Sequence, residues 1–282
     1  MPIRRKGDVL PISYKASSVL SGAVLFAPVG KYPPAGIYSL AHFIFLLCSA
    51  LLIASGLTFL KNSREPKKLI RKINKHLTVL LWVLELIKIA YNLISGSKGN
   101  LNSYIPLYYC SIVLYAGIMS SFCRGRIQHA GDVFLCTGAI VGSCCFLIMP
   151  LTSLPNYPAL HFISIQSILL HTIMVFMGLA LIMTDSVRLR HRDVIPYAII
   201  VLVICAAALA VNLRFGSNLM FISQNFPGTP IEYIYNLCPG ALFTVIMCVG
   251  QATVPFYAVW LLLPQKHKNA ESEEEEMQTA VG

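Results

Sequence analysis

The sequence predicts an all-α fold: a polytopic membrane bundle of about seven transmembrane helices. Three observations carry that prediction. Only 12% of its 282 residues are charged, against 56% hydrophobic, where soluble domains carry about 25% charged residues. Seven apolar runs each reach the roughly 18 residues that cross hydrocarbon as a helix. Basic residues gather in every second connection between those runs.

Residues 1–36 read as an N-terminal segment that is partly interfacial. Arg4, Arg5 and Lys6 precede a weak apolar stretch at 19–29, which is too short to span and is no convincing cleavable signal peptide. The spans follow at 37–60, 77–95, 104–122, 131–152, 160–184, 194–213 and 239–264, so 37–264 forms one membrane domain. Lys61, Arg64, Lys67, Lys68, Arg71, Lys72 and Lys75 occupy the first connection. Arg124 and Arg126 follow the third span, Arg188, Arg190 and Arg192 the fifth, Lys266 and Lys268 the seventh. These fourteen contrast with two, Lys98 and Arg214, in the alternate connections 96–103, 153–159 and 214–238. The asymmetry is the positive-inside signature and predicts a cytoplasmic carboxyl terminus. The net charge of +10 is accounted for by topology, so no nucleic-acid partner is expected. The acidic tail at 265–282 reads as disordered and solvated.

Nine cysteines contain no C-x-x-C pair and no Cys/His spacing of a zinc site. Neither a metal nor a cofactor is expected. The informative residues are polar groups at membrane depth, which are costly there and usually face the bundle interior: His42, Glu85, Lys88, His161, His171 and Asn212. With about 1.5 Å of rise per residue, His42 and Cys110 lie roughly 9 Å from the outer ends of their spans, and Glu85 and His171 roughly 15 Å. Ser164, Ser167 and His171 share one helix face by i, i+3, i+7 spacing. Tyr104, Tyr108, Ser111 and Tyr115 form another beside Cys110. Two polar faces at similar depth predict one outward-opening cavity holding His42, Glu85, Cys110 and His171. Each residue also has a plain structural reading. Histidines and serines bridge membrane helices by hydrogen bonds, Glu85 and Lys88 neutralise each other at i, i+3, and spacing selects no cysteine among nine.

The series "SLAHFIFLL", "LELIKIAYNLI", "IPLYYCSI", "GAIVGSCCFLIMP", "YPALHFISIQSILLHT" and "VNLRFGSNLMFISQNFPGTP" resembles the YwaF-like integral membrane family, whose eukaryotic relatives are the transmembrane-protein-164 acyltransferases. The resemblance runs from about Ser39 to Leu262. Its most specific elements are I-P-L-Y-Y-C at 105–110 and N-x-x-x-G-x-N-x-M-F at 212–221. It implies a membrane-embedded acyltransferase or acyl hydrolase, with membrane phospholipid or lysophospholipid as substrate. It also implies Cys110 as nucleophile and His171 as its partner on a later helix. The chain departs from the pattern at Ile105, where leucine is usual, and at Tyr108 and Tyr109, where a histidine-leucine pair often precedes the cysteine.

The chemistry fits those residue types. A thiolate attacks an ester carbonyl, a thioester forms, and an alcohol or water takes the acyl group. A thiol in oil needs a base or cation to ionise, and histidine at similar depth serves as base and then acid. His42 or Glu85 is available to orient it. Asn212, Asn218 and Tyr108 are candidate oxyanion donors. The alternative is a proton-coupled small-solute transporter built on buried Glu85, Lys88 and His42, although no paired half-repeats are visible. A retinal protein is disfavoured, since the seventh span has no lysine for a Schiff base.

Overall fold

A computed structural model describes residues 22–95 and 104–264, with side chains from Val24 onward. Among them no strand occurs. A short turn of helix, α1 (Gly22–Leu25), leads into α2 (Leu40–Lys61) and the long α3 (Pro66–Ser95). The central pair is α4 (Tyr109–Phe122), which opens with a 3-10 turn, and α5 (Gly125–Ile148), which contains a π-helical turn at Leu135–Ala139. Then come α6 (Phe162–Met183), α7 (Val194–Phe215), the short α8 (Pro230–Leu237) and α9 (Ala241–Leu262). Local chemistry sets several boundaries. Ser39 Oγ accepts the His42 N–H at the start of α2, Thr229 Oγ1 accepts the Ile231 N–H at the start of α8, and Gly216 ends α7 with φ of 65°.

Among the described residues six helices are long and apolar enough to cross a membrane: α2, α3, α5, α6, α7 and α9. The most apolar windows of α6 and α5 are 72% and 61% buried, and those of the other four between 11% and 28%. So α5 and α6 form the middle of the bundle and the rest turn wide apolar faces outward, as lipid as solvent requires. The protein is a multi-pass membrane protein.

The third expected span needs correction. Helix α4 begins at Tyr109, not 104, and its 14 residues cover only about 21 Å. Pro106 lies ahead of the helix rather than in its first turn, and Tyr115 Oη–H donates to its carbonyl at 3.2 Å. Other ends shift as well: α3 takes up the basic segment from Pro66, and α5 starts at Gly125. The 214–238 connection contains a 3-10 turn at Leu219–Phe221 as well as α8. The acidic tail, the 96–103 connection and residues 1–21 lie outside the described residues.

Both ends of the bundle are tied. At the basic end Asp132 on α5 receives both Arg71 Nη groups at 2.6 and 2.8 Å and the Ser120 hydroxyl of α4. Nearby, Gly131 allows backbone-close packing: a Cβ there would sit 2.6 Å from Ala116 O and Ser120 N. At the other end the segment before α2 is pinned by Gly36 N–H to Leu154 O and by Ala27 O, which accepts from Tyr91 Oη.

Candidate functional site

Between α3, α4, α5 and α6 lies a cavity of about 550 Å³. Its walls come from these four helices and from the segments that connect the bundle. A stripe of α6 contributes Ile163, Gln166, Ser167, Leu170 and His171, the i, i+3, i+4, i+7, i+8 spacing of one helix face. Helix α3 contributes Glu85, Lys88 and Asn92, and the start of α4 contributes residues 108–111. Phe146 of α5 adds to the wall, and Thr152, Asn156, Tyr157, Phe221 and Phe226 line it from the connecting segments. A second cavity of about 510 Å³ at the basic end is lined by Lys67, Lys68, Arg71, Asp185 and Ser186. It holds none of the candidate catalytic or supporting residues, only basic residues of the first connection and Asp185 and Ser186, so the chemistry points to the first.

Cys110 lies in the opening 3-10 turn of α4, where the Ser111 N–H bonds Tyr108 O at 2.9 Å. A helix N-terminus is a favourable place for a thiolate. The turn is seated by the rest of the bundle. The π-helical turn brings Gly138 and Gly142 against Tyr109, close enough that a Cβ at either would fall within 3 Å of its ring or hydroxyl. Tyr109 Oη then meets Tyr197 Oη at 2.6 Å, and Tyr197 Oη donates to Gln251 O at 2.9 Å. That carbonyl needs a partner because Pro255, four residues on in α9, has no N–H to give it. Gln251 Nε2 continues to Met220 O at 2.9 Å. Phe221 follows and packs on Tyr108, ring centroids 5.4 Å apart.

The three candidate histidines separate by their hydrogen bonds. His42 Nδ1 accepts the Tyr38 N–H, so Nε2 carries the proton and donates to Leu147 O at 2.8 Å. His161 Nδ1 accepts the Ile163 N–H and Nε2 donates to Ala27 O. Both rings are fully used, and neither stands on the cavity wall. His171 is different. Its Nδ1–H donates to Ser167 O at 2.6 Å, and Phe146 stacks on the ring at 3.6 Å. Its Nε2 lone pair is buried without a partner. An imidazole held by one nitrogen with the other unprotonated is the tautomer a general base requires.

The sequence-predicted set is therefore divided. Glu85, Cys110, Tyr108 and His171 share one cavity; His42, Asn212 and Asn218 are elsewhere. Asn212 is consumed by its own turn. Its Oδ1 accepts from Leu219 N and Ser217 Oγ, and its Nδ2 donates to Leu219 O and Ser223 Oγ. Asn218 folds the same loop through Ser223 N, Gln224 N and Gln224 O. Glu85 and Lys88 pair at 2.6 Å within the cavity, the neutralising i, i+3 contact their spacing allows. The polar stripe of α6 is rotated from the expected one: Ser164 is buried away from the cavity, and Gln166 takes its place. Sequence reasoning passed over Gln166. Its 3–4 spacing to Leu170 and Ile163 was available, but nothing in the sequence says which of two adjacent faces of an apolar helix meets the void.

A family model, described as TMEM164 family, matches residues 37–263. The chain belongs to the TMEM164 family. The matched stretch takes in every cavity residue except Val29, so the site lies in the part this TMEM164 family member shares with its relatives. No curated protein and no solved structure matches the chain.

Proposed function

We propose that this TMEM164 family protein is a membrane-embedded acyltransferase or acyl hydrolase, with Cys110 as nucleophile and His171 as base. Its substrate is the acyl ester of a membrane phospholipid or lysophospholipid. The observation that carries the reading is the orientation of His171: Nδ1 held by Ser167 O, and Nε2 left without a partner on a residue lining the cavity of Cys110.

The steps follow from that arrangement. His171 Nε2 takes the thiol proton of Cys110, and the sulfur attacks the ester carbonyl. The C–O bond to the leaving alcohol breaks as His171 returns the proton to its oxygen, leaving a thioester. An incoming alcohol or water gives its proton to His171 and attacks the thioester, and Cys110 leaves as thiolate and is reprotonated. The Lys88 ammonium is the cation placed to steady the thiolate before attack. Because the cavity mouth lies opposite the basic connections, the same reading puts it on the non-cytoplasmic side and the carboxyl terminus in the cytoplasm.

The test is intact-mass spectrometry of the purified protein after incubation with mixed phospholipids. An acyl adduct is expected on wild type and none on Cys110→Ala, with His171→Gln slowed severely while still folded. Acyl turnover by Cys110→Ala at the wild-type rate would overturn the proposal. The ion-paired Glu85 and Lys88 are what favour a proton-coupled small-solute transporter instead. That reading predicts solute uptake into proteoliposomes that Glu85→Gln abolishes and Cys110→Ala leaves intact.

A further inference from the structure

We infer that Gln166 is a catalytic residue of this cavity, donating its side-chain N–H to the acyl carbonyl oxygen as that oxygen becomes negative. The inference rests on the acyl-transfer reading above.

Gln166 is 2% exposed and lines the cavity. The two ends of its amide differ. Oε1 accepts from Ser167 Oγ at 3.5 Å, while Nε2 is buried with no partner. An unpaired amide donor deep in a membrane protein is expensive, and such groups are kept where something binds them. What binds here must be an acceptor that arrives with the substrate. Gln166 stands five residues before His171 on the same wall, roughly 7.5 Å along the helix axis. A carbonyl lying between Cys110 and α6 can thus meet the base on one side and this donor on the other.

The donors suggested by sequence do not compete well. Asn212 and Asn218 spend their amide hydrogens on the 216–224 loop, leaving Tyr108 on the α4 wall. In the step itself, the pair of electrons displaced from the C=O bond by Cys110 settles on oxygen, where Gln166 N–H binds it. They return as the alkoxide leaves and takes its proton from His171. Gln166 exchanges no proton; its bond strengthens as the oxygen gains charge, so its effect falls mainly on the transition state.

The experiment follows acylation of Cys110 by quenched-flow intact mass in the full-length protein in detergent, with a long-chain 4-nitrophenyl ester as probe. Gln166→Met keeps the shape and removes the donor. It should slow acylation about 10²–10³-fold, the usual loss for one oxyanion donor, with little change in KM. Affinity for a long-chain trifluoromethyl ketone, which forms an anionic adduct with the thiol, should fall by a similar factor. Should Gln166→Met fail to fold, Gln166→Leu, which also lacks a donor, is read the same way. Wild-type rates and ketone affinity in the folded variant would overturn the role of Gln166 while leaving Cys110 acylation standing. Absence of any adduct on wild-type Cys110 would instead remove the acyl-transfer reading, and this inference with it.

Discussion

Replacing Tyr197 with phenylalanine tests how the first turn of α4 is held. Tyr197 is fully buried, and its hydroxyl is the middle of a chain from Tyr109 Oη, at 2.6 Å, to Gln251 O, at 2.9 Å. A carbonyl only accepts, so Tyr197 donates to Gln251 and Tyr109 donates to Tyr197. Removing the hydroxyl leaves two groups orphaned: the Tyr109 O–H, and the Gln251 carbonyl that Pro255 already denies a helical partner. At about 1–3 kcal/mol per buried unsatisfied group, Tyr197→Phe should cost about 2–6 kcal/mol. Tyr109→Phe removes one hydrogen bond and orphans nothing that must donate, so it should cost about 0.6 kcal/mol, the average for an interhelical bond in a membrane. The double variant should be less destabilised than the sum, because the orphaned Tyr109 donor is gone. Pro255→Ala in the Tyr197→Phe background should recover part of the loss by supplying an N–H to Gln251 O. The assay is reversible unfolding in mixed micelles, followed by Trp82 and Trp260 fluorescence. Costs that add within about 0.5 kcal/mol, or a Tyr109→Phe variant weaker than Tyr197→Phe, would refute the reasoning.

Other outcomes follow from the same geometry. Cys110→Ala should keep its fold and lose acyl transfer to background in a lipid-extract assay, while Cys144→Ala retains it; equal loss in both would remove the special place of Cys110. Gly131→Ala should destabilise by about 1–3 kcal/mol, because the nearest atoms are backbone on α4 that cannot step aside. Gly250→Ala on α9, which meets nothing within 4 Å, should be neutral or better in the same unfolding assay. His161, one residue outside α6, is held below its usual value by burial, and its Nδ1 must stay unprotonated to cap Ile163. Since an unfolded histidine titrates near 6.5, its contribution is present above about pH 6.5 and is lost as pH falls from there toward the folded value. His161→Asn, which keeps a capping acceptor, should flatten the stability profile between pH 8 and 5 relative to wild type, and identical slopes would contradict that.

By itself the sequence determined the solvent, the helices and the family. Hydrocarbon thickness demands about 20 apolar residues per crossing, so span length and basic asymmetry are written locally. The six long helices fall close to where the apolar runs place them. The start of α4 was placed five residues early because the 104–108 stretch is apolar enough to read as helix, whereas the Pro106 carbonyl is taken up by Tyr115. The pairing of Glu85 with Lys88 was equally local, three residues apart. Only the tertiary structure decided which polar groups were free. His42 is occupied by a carbonyl 105 residues away and His161 by one 134 residues away, while the one hydrogen bond that holds His171 comes from within its own helix. Asn212 and Asn218, inside a specific motif, proved to be spent on building their own loop. Gln166 came to the cavity because α6 is turned by close contacts elsewhere, such as Gly178 against Leu135 O. A residue type fixes how many hydrogen bonds a side chain can make. The packing of distant segments fixes how many are left for a substrate.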